Sequence, residues 1–370
     1  MSSLTEGARK QARSQRAHNP GMSPASSHPY ERLTPDVVLD AMADVGLWGD
    51  GRLTALSSYE NRVYQACLET AQSETGLTAH DRVVLKFYRP GRWSDAQILE
   101  EQEFAAQLVA AEVPVVAALR LPGQSTPAAG STLHHHAGFA FSVSPWRGGR
   151  RPELEDTQVL QWIGRFLARI HNVGGLRPFA HRPALDLQTF GTDSQRLLAQ
   201  GDHLPLDMAS RWQSAYTEAM QVAQGIWQEV GALQSLRLHG DCHPGNILWT
   251  PEGSPGAGPH FVDLDDARMG PAVQDLWMLL SGERAQQLQQ LGALVDGYEE
   301  LRELDRRELR LIEVLRTLRL IHYSAWLAQR WSDPIFPINF PWFGSSDYWK
   351  GQVDMLIEQT EAMQAPPLVA

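Results

Sequence analysis

Cysteine is nearly missing from this chain: Cys67 and Cys242 are the only two among 370 residues. They lie far apart in sequence and offer no disulfide framework and no Cys-x-x-Cys metal site. Long apolar runs are missing too. None approaches the roughly 18 residues needed to cross a bilayer, and the N-terminal stretch has no apolar core for a secretory signal. There is no excess of positive charge, since 32 Lys and Arg face 43 Asp and Glu for a formal net charge of −11. That balance argues against a nucleic-acid binder, whose affinity comes largely from neutralising phosphates, and suits a basic peptide partner better. No Gly-x-Gly-x-x-Gly occurs either. The rest reads as an ordinary intracellular globular protein, 43% hydrophobic and long enough for two domains with separate cores.

The informative stretch is Leu238-His239-Gly240-Asp241-Cys242-His243-Pro244-Gly245-Asn246-Ile247-Leu248-Trp249, followed by Phe261-Val262-Asp263. It sets an acid, an amide and a second acid among short apolar runs. Pro244-Gly245 turns the chain between Asp241 and Asn246, so both side chains can aim into one cleft. Ile247, Leu248 and Trp249 predict a buried strand, Phe261 and Val262 its partner, and residues 251–256 the turn between them. Such a hairpin returns Asp263 beside Asn246, where one cation can bridge them. Asp241 can take a proton from an attacking hydroxyl, and Asn246 and Asp263 supply hard oxygen ligands for Mg²⁺. Those are the parts phosphoryl transfer needs, because positioning and charge neutralisation carry most of that catalysis.

His-Gly-Asp-x-His-Pro-Gly-Asn-Ile-Leu followed by Val-Asp resembles the signature of the aminoglycoside phosphotransferase and choline kinase-like superfamily, relatives of protein kinases. On that resemblance His239-Gly240-Asp241 stands where protein kinases carry His-Arg-Asp, and Asp263 where they carry the Asp of Asp-Phe-Gly. The longer run Phe261-Val262-Asp263-Leu264-Asp265-Asp266-Ala267-Arg268, then 270–277, is similar to a bacterial serine/threonine protein kinase branch acting in stress response. The resemblance runs from about residue 33 to about residue 367. It implies ATP as co-substrate, since the hinge backbone reads the adenine and the residue types there say little.

Upstream, Arg82-Val83-Val84-Leu85-Lys86-Phe87-Tyr88 is an apolar strand interrupted by one lysine, costly unless that lysine is paired. The resemblance makes Lys86 the ligand of the α- and β-phosphates. Its partner glutamate is expected on the helix begun by Ser94-Asp95, with Glu101 preferred to Glu100 and Glu103 by counting back from Val113-Pro114. Between two predicted strands, Leu56-Ser57-Ser58-Tyr59-Glu60-Asn61-Arg62-Val63-Tyr64 takes the phosphate-covering place. Backbone N–H groups and a serine hydroxyl can cradle phosphate without three glycines, and Ser58 matches the nucleotide-contacting serine of that branch.

The expected fold is α+β: a two-lobed protein-kinase-like architecture with a disordered tail over 1–32, a strand-rich N-lobe over 33–145 and a mainly helical C-lobe over 146–370. Arg9, Lys10, Arg13 and Arg16 lie in the tail among small residues, which also fits a start placed too early, with Met22 first. Residues 138–144 predict the last N-lobe strand, with Pro145 to Arg150 crossing the hinge. The segment from Pro122 to Ala137, ending in His134-His135-His136, is expected to be a solvated hairpin loop and not a metal site. In the C-lobe, Val159, Ile163, Phe166, Leu167 and Ile170 predict a helix ending at His171. Leu311, Leu315, Leu318, His322 and Ala325 predict another, opened by an Asp305/Glu308 capping box, with His322 a satisfied core histidine. The aromatic, proline-rich run 334–343 excludes a regular helix and either lines a substrate-binding face or wraps the lobe.

Among the supporting residues, Asp275 is implied by the resemblance to brace the catalytic loop, and His239 to assist. Of Asp265 and Asp266, one is expected to point outward or to pair with Arg268. For His243 the sequence does not decide whether it meets the transferred phosphate. Cys242 is expected to be structural. The resemblance therefore implies a cytoplasmic, monomeric, ATP- and Mg²⁺-dependent serine/threonine protein kinase with no membrane or nucleic-acid partner. A small-molecule kinase acting on an amino alcohol, sugar or aminoglycoside-like acceptor shares the motif, because motif and fold do not settle substrate. A nucleotide-regulated binding protein without transfer activity is the third reading. It is opposed by the presence of lysine, base and metal aspartate together.

Overall fold

A computed structural model describes residues 28–69, 71, 76–122, 130–254 and 256–370. Most of the expected N-terminal tail, residues 1–27, lies outside them. The chain opens on helix α1 (Pro35–Asp44), capped by the Thr34 hydroxyl on Val37 N–H, with proline in its first turn where no N–H is needed. Strands β1 (Gly49–Leu56), β2 (Arg62–Leu68) and β3 (Arg82–Phe87) follow, then helix α2 (Asp95–Ala110) and strands β4 (His134–His136) and β5 (Phe139–Pro145). They form one antiparallel sheet in the order β1-β2-β3-β5-β4.

The strand period decides what faces the cleft. On β3, Val83, Leu85 and Phe87 are buried in one core with α1 and with Phe139, Phe141 and Val143 of β5. Lys86 therefore projects from the opposite face. The register sets it beside Val63 and Ser142, at the end of the sheet from which the β1–β2 turn emerges. The three histidines depart from the expected solvated loop: they form β4, edge strand to β5. His134 is buried, His135 meets Asp95 and His136 meets Asp44. Among the described residues no three His, Cys, Asp or Glu side chains gather as a metal site.

The second part begins with α3 (Thr157–Gly174), α4 (Asp193–Gln200) and α5 (Leu206–Val230). Four short strands come next, β6 (Leu236–Leu238), β7 (Ile247–Thr250), β8 (Gly258–Phe261) and β9 (Arg268–Gly270). Five helices close the chain: α6 (Val273–Trp277), α7 (Arg284–Glu299), α8 (Ile312–Arg330), α9 (Ile335–Asn339) and α10 (Ser346–Gln364). The predicted helix stop at His171 falls short, because α3 continues to Gly174 with Gly175 as its cap. Asp305 caps a 3₁₀ turn preceding α8, but Glu308 does not complete the box. Its carboxylate instead accepts from Val273 N–H at the start of α6. The run at 334–343 does contain a short helix, α9, with Phe336, Phe340 and Phe343 buried and Ile338 exposed. No helix among the described residues is long and apolar enough to cross a membrane.

The two cores do not divide at one point of the chain. Phe104, Ala105 and Leu108 of α2, with Val113 and Val115, pack into the large helical core and not against the sheet. Val115 also bridges to Phe261 at the end of β8. This helix and the segment after it thus tie the sheet to the hairpin that carries the candidate site.

Candidate active site

The loop before Asp241 is held from below by a buried carboxylate. Asp275 accepts from His239 N–H at 2.8 Å and from Gly240 N–H at 2.9 Å. His171 donates to it from Nε2 at 3.1 Å and is itself met by Tyr298. Burial works against ionising Asp275, but the His171 hydrogen bond and charge, with the His239 ring and the Gly240 N–H, hold its carboxyl below the ordinary range. The His239 ring reaches on to Val262 O at 2.9 Å, clasping the residue before Asp263. Gly240 has φ +86°, and a Cβ there would lie 2.2 Å from Asp266 O. No side chain fits between those two loops.

Asp241, Asn246 and Asp263 converge through the β7–β8 hairpin. Ile247 pairs with Phe261, and Val262 N–H donates to Asn246 O at 3.0 Å, so Asp263 follows directly beside Asn246. Asn246 Nδ2 donates to Asp241 O at 2.9 Å. This hydrogen bond fixes the amide orientation and leaves Oδ1 for a ligand. Asp263 itself is left-handed, φ 60° and ψ 61°, an uncommon conformation for a residue other than glycine. Its side chain is 51% exposed. Asn246 Oδ1 and the Asp263 carboxylate make a two-residue oxygen set of the kind Mg²⁺ uses when phosphates and water complete its shell.

Lys86 reaches this hairpin across the cleft. Its ammonium lies 2.9 Å from Asp263 Oδ1 and 3.1 Å from Asp265 Oδ1. Burial alone would lower its pKa, yet Asp263 and Asp265 outweigh it and hold the lysine well above its usual value. The three glutamates of α2 part company. Glu100 accepts from the backbone N–H groups of Ala180, His181 and Arg182, and Glu103 pairs with Arg177. Only Glu101 turns inward. It makes no ion pair with Lys86 within 4 Å among the described residues, since Asp263 and Asp265 hold the ammonium instead. Burial therefore leaves its carboxyl raised, with Lys86 and Arg182 pulling it back in part.

Ser58 sits half-buried on the β1–β2 turn, and this turn is anchored to the other lobe. Glu60 accepts from Trp326 Nε1 at 2.6 Å and from Arg330 Nε, and pairs with Arg89 at 2.9 Å. Tyr59 meets Phe340 edge-on, ring centroids 5.0 Å apart. Arg62 and Arg89 both donate to Asp333, which is 1% exposed. Thus part of the aromatic segment wraps the lobe and supports the loop over the cleft.

Sequence reasoning missed these charged partners, and it missed Arg92 and Arg319. Arg92 bonds Asp265, and its other arm meets Asp266 at 2.7 Å, where Arg268 also donates at 2.6 Å. Burial opposes ionisation of Asp265, but Lys86 and Arg92 together bring its carboxyl down to about 2. Arg319 of α8 donates to Asp241 Oδ1 at 2.6 Å. The available signal was charge on a face flanking the α8 stripe, which by itself reads as solvated surface. His243 accepts from Gly245 N–H through Nδ1 at 2.9 Å, so its Nε2 carries the proton and lies 3.6 Å from Asp241 Oδ2. Cys242 is fully buried. Burial, with Asp275 and Asp241, pushes its thiol well above the ordinary value, which makes it inert.

Comparison with known proteins identifies the family. Residues 52–312 match the phosphotransferase enzyme family, APH. The chain is 44% identical over 343 residues to Stress response kinase A of Escherichia coli (strain K12), covering 93% of this chain and 97% of that protein. It is 43% identical over 339 residues to Serine/threonine protein kinase RdoA of Salmonella typhimurium (strain LT2), covering 92% and 96%. Among solved structures, the microcompartment-associated aminopropanol kinase has a TM-score of 0.65 at 17% identity, covering 90% of this chain and 97% of that one. Amicoumacin kinase hAmiN, solved with AMP-PNP, Ca²⁺ and Ami, has a TM-score of 0.63 at 19% identity, covering 90% and 94%. At such identities the solved structures speak for the fold alone. The kinase-like fold and the family match from 52 to 312, with relatives matched along nearly the whole chain, lead to one conclusion: this protein belongs to the phosphotransferase enzyme family and is an ATP-dependent phosphotransferase.

Proposed function

We propose that the acceptor is a serine or threonine of a protein and that the enzyme acts in the cytoplasm in a stress response. The similarity to relatives bearing those names supports this reading. The observation that carries the chemistry is the convergence of Asp241, Asn246 and Asp263 on one hairpin opposite Lys86. In this reading Asp241 orients the hydroxyl and takes its proton, and its Oδ2 is the oxygen turned away from Arg319. Lys86 steadies the α- and β-phosphates, and Ser58 covers them from the turn above. Glu101 sits behind Lys86 as the carboxylate to which the ammonium can shift when it leaves Asp263. Asn246 Oδ1 and Asp263 would hold Mg²⁺, which when bound neutralises charge developing on the phosphates. The N-lobe over 33–145 and the C-lobe over 146–370 close on the nucleotide.

Transfer from γ-labelled ATP with Mg²⁺ tests the reading, comparing wild type with Asp241→Asn on a generic protein acceptor and on the enzyme itself. Label on serine or threonine that disappears in Asp241→Asn supports it. ATP binding without labelled protein would turn attention to small acceptors. That second reading has an observation in its favour: solved neighbours of the same fold are named for amicoumacin and aminopropanol.

A further inference from the structure

Arg319 contacts the proposed base and still has donors to spare. Its Nη1 bonds Asp241 Oδ1, while the side chain is 43% exposed. Its Nε and Nη2 donate to no acceptor among the described residues. A guanidinium presents five N–H donors in a rigid planar fork, so one arm can orient the base while the others stay open to an acceptor. Asp241 itself offsets this charge, so what Arg319 offers an acceptor is its remaining N–H donors. His243 faces the second oxygen of Asp241 at 3.6 Å, and the acidic groups deeper in the cleft are already engaged: Asp263 by Lys86, Asp265 by Lys86 and Arg92, Asp266 by Arg92 and Arg268. One helical turn beyond Arg319, on the same face of α8, Tyr323 is 38% exposed.

We infer that Arg319 is an acceptor-reading residue: it positions Asp241 and selects acceptors that carry an anionic group next to the target hydroxyl. The inference deepens the proposed function and rests on Asp241 being the base. An acceptor with a carboxylate beside its hydroxyl takes the open donors of Arg319 as a charge-assisted pair. A lysine side chain or the amine of an amino alcohol finds no hydrogen-bond acceptor on Arg319 and gains no such pair. The open donors of Arg319 thus favour the opposite kind of partner from the basic one that the net charge of −11 suits by itself. Overall charge governs approach, and this contact governs which hydroxyl is seated.

The test uses the full chain with Mg²⁺ and γ-labelled ATP on three serine peptides that differ only in the residue beside the serine, Asp, Asn or Lys. Wild type is expected to favour the Asp peptide over the Lys peptide by about tenfold or more in kcat/KM, mainly through KM. Arg319→Ala should flatten the ranking and Arg319→Glu should reverse it. Arg319→Lys should keep its sign with a lower kcat, because a point charge lacks the fork that holds Asp241. The same ranking in wild type and Arg319→Glu, or no ranking in wild type, overturns the inference. If no peptide is labelled although ATP binds, the protein-acceptor reading fails by itself. The ranking is then read on glycerate against ethanolamine: preference for glycerate that Arg319→Glu removes supports the role of Arg319, and equal, reversed or absent transfer overturns it.

Discussion

The ammonium of Lys86 lies 2.9 Å from the carboxylate of Asp263, 177 residues further along the chain. Sheet and hairpin meet at this contact, and each side depends on a different local rule. The strand period turns Lys86 away from the N-lobe core, and the β7–β8 register returns Asp263 beside Asn246.

Replacing Lys86 by methionine keeps most of the side-chain length and removes the charge. Phosphate transfer should fall by about 10²–10³-fold, the loss typical when one charge-stabilising donor is taken from an active site. Asp265 would keep only Arg92 as a close cationic partner, so the melting temperature should drop as well. Steady-state kinetics and thermal unfolding on the same preparation check both. Undiminished kcat/KM would remove Lys86 from the phosphate site.

Gly240→Ala should be among the more damaging single-methyl changes in the chain. The residue has φ +86° and an added Cβ would stand 2.2 Å from Asp266 O. Left-handed backbone costs a non-glycine residue about 1–2 kcal/mol, and overpacking against fixed backbone adds about 1–3 kcal/mol. Urea unfolding should show a loss of about 2–5 kcal/mol, with transfer activity falling as the Asp241 loop is displaced. A loss below about 1 kcal/mol would mean that the two loops can part.

These examples also show what could be read in advance. Asp241, Asn246 and Asp263 were legible because their geometry is local: a Pro-Gly turn and a short hairpin need no distant partner. Lys86 was legible because a charge on an apolar strand demands an explanation. Glu101 could be singled out by counting, but its missing contact with Lys86 could not, since Asp263 and Asp265 compete for the ammonium from another lobe. Arg319, Arg92, Glu60 and Asp333 were illegible for the same reason. Each is an isolated charge in its own segment and acquires meaning only from partners far along the chain. The histidine run misled because Pro, Gly, Ser and Thr precede it, whereas pairing with β5 makes it a strand.

Glu308 gives the fold a pH dependence. Burial raises its carboxyl to about 7, only partly offset by the hydrogen bond from Val273. An unfolded glutamate titrates near 4.3. Between those values the folded chain keeps a proton that the unfolded chain has lost, so stability falls as pH rises across the window and levels off above it. Glu308→Gln should remove that dependence. The variant should be more stable than wild type at pH 8 by about 2 kcal/mol, shrinking towards zero near pH 4. Urea titrations at pH 4, 6 and 8 measure it, and a difference that does not change with pH counts against the raised carboxyl.

Asp333 links stability to nucleotide handling. It is 1% exposed and accepts from both Arg62 and Arg89. Arg89 in turn contacts the β1–β2 turn, its N–H on Asn61 Oδ1 at 3.1 Å and its guanidinium on the Glu60 carboxylate. Asp333→Asn leaves a similar shape but takes the counter-charge from two largely buried arginines, and breaking a buried pair on one side costs about 3–5 kcal/mol. If the turn carrying Ser58 covers the phosphates, loosening its anchor should also raise KM for ATP several-fold while kcat changes less. Glu100→Gln is the control. It weakens a carboxylate's hold on the backbone at Ala180, His181 and Arg182, away from the turn, so it should lower stability and leave KM for ATP unchanged. If Asp333→Asn and Glu100→Gln shift KM alike, the effect is general loosening. A rise confined to Asp333→Asn ties the inter-lobe anchor to the nucleotide, because only that change acts through Arg89 on the residues flanking Ser58.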